Sequence, residues 1–239
     1  MNFLIKSTHF GLALIRIRSH DDNDLSMTFI LNPTPILLDS LYWITLFAVI
    51  VSSASGVLKA GFKKFDLFGV IIIAVATGLG GGSLRDMLLG RDVFWIEDQI
   101  FFIVSLVSAI VMFITARLIV ISPRFFLIPD AAGLATFGIA GTLASLMIGT
   151  PWLVASFMGV MTGTMGGIFR DVLTNEPPVV FLSPLYATVC WGGSIFFIGL
   201  LYWQVDVAIA AIIAGGFIFA ARLIALKFNI SLPRFRFRV

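Results

Sequence analysis

Two segments of this 239-residue chain join helix-weakening glycines to a fixed charged pair: TGLGGGSLRDML from Thr77 and TGTMGGIFRDVL from Thr162. Thr77, Gly80, Gly81 and Gly82 in the first, and Thr162, Gly166 and Gly167 in the second, offer hydroxyls and main-chain carbonyls. Such oxygens can replace the hydration shell of a cation. Glycine in a helix interior costs about 1 kcal/mol relative to alanine, so consecutive glycines predict a bent or unwound helix with exposed carbonyls. Within hydrocarbon those carbonyls are tolerated only against protein or beside a water-filled cavity. One isolated glycine reads as close helix packing; two matched runs, each followed by Arg and Asp, favour a polar path. A dinucleotide loop fits poorly, because Gly78, Gly80 and Ser83 do not complete GxGxxG and no strand precedes them.

The charged residues are Arg85 with Asp86 and Arg170 with Asp171. Each charge inside a membrane span costs about 2.5–3.5 kcal/mol on insertion scales unless paired or hydrated. Neighbours at i,i+1 do not face one another on a helix, so each is expected to look elsewhere. Two arrangements meet that demand: a crossed pairing of Arg85 with Asp171 and Arg170 with Asp86, or four side chains snorkelling to water or phosphate. Asp130, beside Pro129, is either a helix N-cap or a further member of the charge pairs.

The elements that carry these residues are hydrophobic. The chain is 59% apolar and 12% charged with a mean hydropathy of +1.05, against about half apolar and a quarter charged in soluble domains. A bilayer core needs about 20 apolar residues per helix, and seven runs qualify: 36–58, 67–89, 100–121, 131–148, 152–173, 185–202 and 205–226. Prolines fall between these runs and not within them. Residues 1–35 form an N-terminal extension expected to be poorly ordered, with Met27 as a candidate start, and 229–239 form a basic tail. The single Cys190 excludes an intrachain disulfide, and His9 and His20 are the only histidines, so neither a zinc cluster nor a Ser/His/Asp set in the spans is available. A net charge of +3 is no nucleic-acid footprint. No enzymatic activity and no cofactor are expected.

Thr45–Val93 superimposes on Asp130–Pro178 at a constant offset of 85 residues, which also pairs Gly56 with Gly141. Each unit, 36–121 and 122–203, carries three spans. An odd number makes the second unit enter the membrane from the opposite side, so the halves are inverted repeats, an architecture of transporters and channels. Residues 204–228 add a seventh helix. The expected fold is therefore an all-α integral membrane protein, an inverted 3+3 repeat plus one C-terminal helix.

The pieces FDLFGV from Phe65, GGGSLRDMLLG from Gly80, PDAAGLATF from Pro129, GVMTGTMGGIFRDVL from Gly159 and EPPVVF from Glu176 resemble the trimeric intracellular cation (TRIC) channels and their bacterial relatives, also called a glycine-transporter domain. The resemblance implies a homotrimer in a lipid bilayer, each protomer with a pore gated at kinked second and fifth helices and passing potassium or sodium. It departs at Thr45, where relatives often carry an acidic residue, and at Met165 in the second glycine run. A carrier for glycine or another small zwitterion is the alternative, since Arg suits a carboxylate and freed carbonyls an ammonium. Anionic lipid headgroups are the expected partners of the basic C-terminal residues Arg222 and Lys227, late in the seventh helix, and Arg234, Arg236 and Arg238 in the tail.

Five Lys and Arg fall on the side of the N-terminus and eleven on the other, so the positive-inside rule places the N-terminus outside and the C-terminus in the cytoplasm of a bacterial inner membrane. A C-terminal reporter active only in the cytoplasm is expected to give signal; a silent fusion that is still expressed and membrane-inserted reverses the topology.

Overall fold

The computed structural model describes residues 16–18, 28–30, 35–63, 65–119, 122, 124–182 and 185–230. Lys6, His9, His20, Met27, Lys64, Arg234, Arg236 and Arg238 lie outside them. Within the N-terminal extension, β1 (Arg16–Arg18) and β2 (Thr28–Ile30) pair antiparallel, Ile17 opposite Phe29. The rest is helical: α1 (Pro35–Ala60), α2 (Leu67–Leu88), α3 (Phe94–Glu97), α4 (Gln99–Leu118), α5 (Leu127–Met147), α6 (Trp152–Leu173), α7 (Val179–Leu182), α8 (Ala187–Tyr202) and α9 (Val207–Phe228). Among the described residues six of these helices are long and apolar enough to cross a membrane. The apolar α8 spans 16 residues, short of that length.

The offset of 85 seen in sequence carries into the backbone. It maps α2 onto α6 and α3 onto α7 residue for residue. Both long helices end alike. Gly90 and Asn175 take left-handed conformations, φ 64° and 54°, and the next residues, Arg91 and Glu176, donate back to Asp86 O and Asp171 O at 2.9 and 2.8 Å. These are Schellman closures, which satisfy carbonyls that a helix end leaves open.

Neither glycine run interrupts its helix. α2 continues through Gly80–Gly82 and α6 through Gly166–Gly167, which corrects the expected unwinding. The glycines are spent on contact instead. A Cβ on Gly81 would collide with the Thr162 carbonyl, and one on Gly166 with the Thr77 carbonyl. Thr77 to Gly81 therefore runs against Gly166 to Thr162, so α2 and α6 cross antiparallel, backbone on backbone. The same device joins each repeat internally: a Cβ on Gly56 would strike Ala74 and Thr77, and one on Gly141 would strike Thr162 and Gly159. Small residues permit such approach where lipid supplies no hydrophobic drive between helices.

The core is largest where α5, α8 and α9 meet, around Leu134, Ile139, Leu143, Phe197, Ala214 and Ile218. By contrast α4 buries only Phe101, Ser105 and Ala109 and turns Ile103, Val107, Val111 and Ile114 outward, as a lipid-facing helix does. Helix α5 begins at Leu127, earlier than expected. Pro129 thus sits in its first turn, where a missing amide hydrogen leaves no bond unmade.

Alanine at Gly81 or Gly166 must displace backbone atoms and is expected to cost about 1–3 kcal/mol or more. Alanine at Gly192 or Gly216, where a Cβ meets nothing within 4 Å, is expected to be neutral or to stabilise by up to about 1 kcal/mol. Denaturant titration in mild detergent checks this; equal effects at all four positions would remove the backbone contact.

Candidate functional site: a glycine crossing between two buried Arg–Asp pairs

The threonines that frame the crossing have no hydroxyl to spare. Thr77 Oγ1 donates to Ile73 O at 2.6 Å and Thr162 Oγ1 to Met158 O at 2.7 Å, each one turn back along its own helix. Gly80 lies under the Phe169 ring and Gly82 under the Phe94 ring. Thr77, Gly80, Gly81, Gly82, Thr162 and Gly166 are thus brought together as a packed seam whose threonine hydroxyls bond within their own helices. Gly167 differs. A Cβ on it would meet polar atoms, Tyr186 Oη, Arg170 Nη2 and Asp130 Oδ1, at 3.2, 3.5 and 3.6 Å.

Past the crossing, each helix ends in its buried charged pair. Arg85 Nε and Nη2 donate to Asp86 Oδ1 and Oδ2 at 2.8 and 3.0 Å, and Arg170 Nε donates to Asp171 Oδ1 at 2.9 Å. The crossed pairing does not form, nor do the four side chains snorkel: all are 3% exposed or less. Geometry forbids the crossed pair. The helices run in opposite directions from the crossing, so Arg85 and Asp171 are separated by roughly 20 Å of helical rise. Pairing at i,i+1 succeeds because a long guanidinium stem spans the angular step while the carboxylate is fixed from its far side. Asp86 Oδ2 accepts from Phe94 N at 3.1 Å and Asp171 Oδ2 from Val179 N at 2.7 Å. Each RD motif therefore caps the short helix that follows, α3 or α7, and favours it electrostatically.

The repeats differ in what else their arginine meets. Arg170 Nη1 donates to Asp130 Oδ1 at 2.5 Å and to Ser55 Oγ at 2.6 Å. Asp130 is therefore not a helix N-cap; α5 is preceded by Phe126 with no side-chain cap, and the carboxylate turns inward to the pair. Tyr186 Oη donates to Asp130 at 3.2 Å, and the Arg222 guanidinium stacks 4.6 Å above the Tyr186 ring. Arg222 is fully buried, which corrects its reading as a lipid-facing residue. Ser55, Tyr186 and Arg222 are the members that sequence reasoning missed. An arginine inside the apolar 22 residues of α9 was the available signal. In the first repeat the positions equivalent to Asp130 and Tyr186 hold Thr45 and Phe101, and the second-repeat counterpart of Ser55 is Ala140, so Arg85 lacks these partners; like Arg170 over Phe126 at 5.0 Å, it lies over a ring, Phe94 at 5.6 Å.

On the same side as Arg170, the loop after α1 is tied to the loop after α6. Glu176 pairs with Lys63 at 2.7 Å and with Lys59 at 3.7 Å. The Lys63 hydrogen bond, helped by the Lys59 charge, holds its carboxyl below the usual range.

Comparison with known proteins then settles kinship. The family model described as glycine transporter matches residues 42–117 and 127–202, one match per repeat. A UPF0126 membrane protein of Vibrio cholerae is 37% identical, covering 96% of this chain and 98% of its own. The chain belongs to this family. Another relative, the UPF0126 inner membrane protein YadS of Escherichia coli K12, is 35% identical over 82% of this chain and 96% of its own. Among solved structures, the TRIC trimeric intracellular cation channel orthologue from Rhodobacter sphaeroides superposes with a TM-score of 0.76 at 31% identity, covering 80% of this chain and 98% of that one. A prokaryotic TRIC channel solved in 0.5 M KCl gives 0.74 at 27%, with the same coverage. This glycine-transporter family member is thus a membrane protein of the TRIC channel fold.

Removing one partner of a buried ion pair costs about 3–5 kcal/mol. Arg170→Met strands Asp130 and Asp171, whereas Arg85→Met strands Asp86 alone, so the former is expected to lose more stability. Adding Asp130→Asn to Arg170→Met should recover part of the loss. Equal losses, or no recovery in a denaturant titration, would contradict the cluster.

Proposed function

We propose that this protein is a monovalent-cation channel, conducting chiefly potassium, with one pathway in each protomer of a homotrimer. It crosses the inner membrane seven times, α8 completing the six longer helices, with its C-terminus in the cytoplasm. The observation that carries this reading is the antiparallel α2–α6 crossing, flanked symmetrically by buried Arg–Asp pairs in a fold shared with TRIC cation channels. A chain with no such traffic has little reason to keep charge on both sides of a seam only two backbones thick.

In the conformation described, that seam is shut. Conduction requires α2 and α6 to separate, with Phe94 and Phe169 leaving Gly82 and Gly80. The backbone of Gly80–Gly82 and Gly166–Gly167, with Thr77 and Thr162, then lines the passage, and Arg85, Asp86, Arg170, Asp171 and Asp130 stand at its two ends. The outer ends of the described helices and the turns between them carry Asp39, Asp92, Glu97, Asp98 and Asp206 beside Arg91, while the N-terminal extension on that side adds Lys6, Arg16 and Arg18 with Asp21, Asp22 and Asp24. Negative charge there raises the local cation concentration at the entrance. Permeation of potassium needs no cofactor, and the potassium or sodium ion is cargo.

Purified protein in planar bilayers tests the proposal. Unitary currents are expected in symmetric KCl, and in a KCl gradient the reversal potential should lie near the potassium equilibrium value. Saturable glycine exchange with no unitary steps would overturn the channel in favour of a carrier.

A further inference from the structure

A second polar feature lies away from the crossing, at the corner where α1 ends, α2 begins and α4 ends. A pocket of about 270 Å³ opens there, floored by Val57, Val70 and Phe113 and edged by Lys63 and Arg117. No carboxylate lines it. Drug-sized sites begin near 300 Å³, so this volume suits a single headgroup. All three helix ends fall on the side that the basic residues mark as cytoplasmic, which puts the pocket at the border between acyl chains and water. Its flank is apolar and outward-facing: Phe62, Phe65, Leu67 and Phe68 are between 41% and 70% exposed. Such a flank needs hydrocarbon against it.

The cations are held in place. The Arg117 guanidinium lies 4.5 Å over the Phe113 ring, which fixes a long side chain that would otherwise lose rotamer entropy on binding. Lys63 gives one bond to Glu176 at 2.7 Å, and an ammonium has three hydrogens to give.

The internal repeat supplies a control. By the offset of 85, the matching corner of the second unit lies at the opposite membrane face, and there Lys63 and Arg117 are replaced by Ile148 and Tyr202. The two corners share a backbone plan, yet both cations stand at one face alone. Anionic lipids of the cytoplasmic leaflet attract basic residues at that border.

We infer that the α1–α2–α4 corner is a binding site for the headgroup of an anionic phospholipid, its phosphate between Lys63 and Arg117 and its acyl chains along Phe62 and Phe65. The inference does not depend on what the protein transports. Native mass spectrometry of the full-length protein, extracted from vesicles of equal phosphatidylglycerol and phosphatidylcholine, tests it. The wild type should retain phosphatidylglycerol in preference. Lys63→Ala/Arg117→Ala should lower that preference roughly 30-fold, at about 1 kcal/mol per basic residue, and Lys63→Arg/Arg117→Lys should keep it. Arg124→Ala/Lys227→Ala removes the same charge from exposed positions outside the pocket and should leave the preference intact. No preference in the wild type, equal loss in both alanine pairs, or displacement of the lipid by millimolar inorganic phosphate would overturn the site.

Discussion

Everything in this molecule is arranged around one close approach: two helices of opposite direction touching through main-chain atoms, Thr77 carbonyl on Gly166 and Thr162 carbonyl on Gly81. Two contacts related by the offset of 85 mean that the symmetry of the chain passes through this point. Any side chain larger than hydrogen at either glycine would force the halves apart. The outer contacts of Gly56 and Gly141 obey the same rule, so the positions of α1 and α5 are set by the same absence of side chains.

The charges follow from that geometry. Because α2 and α6 diverge from the crossing, the two Arg–Asp pairs cannot exchange partners, and each carboxylate is satisfied within its own half. It bridges the preceding arginine and the amide that opens α3 or α7. The halves then part company. The second adds Asp130 and Tyr186 around Arg170, α1 of the first contributes Ser55, and α9 delivers Arg222 to the same cluster. An extra carboxylate in one repeat is matched by an extra base from the one long helix that has no counterpart, so local charge stays balanced in a region that water does not reach freely.

Much of this was legible before any coordinates. Six long apolar helices and the offset that maps α2 onto α6 and α3 onto α7 follow from hydropathy and motif, since a 20-residue apolar run and a shared motif survive as sequence patterns; the 16-residue α8 is shorter than its apolar run implied. What glycine does there was not legible. Weak helix propensity predicts unwinding, but the helix–helix contact overrides a cost of about 1 kcal/mol per residue, and its partners lie 81 (Gly81 to Thr162) and 89 (Thr77 to Gly166) residues apart along the chain. The crossed Arg–Asp pairing failed for a related reason: symmetry says which residues correspond, whereas direction of travel says which can touch. Asp130 shows the limit of local context, because a residue beside proline reads as a cap until its partner, 40 positions later, is placed against it.

In the proposed channel the α2–α6 seam closes the path and must open for ions to pass. Gly80→Cys/Phe169→Cys, in a Cys190→Ser background, places two thiols across that seam in place of a hydrogen and the ring that covers it. Potassium flux into proteoliposomes, compared before and after oxidation, is the direct measurement. Flux should fall when the disulfide forms and return on reduction; full flux through protein shown to be cross-linked would mean that the ions travel elsewhere.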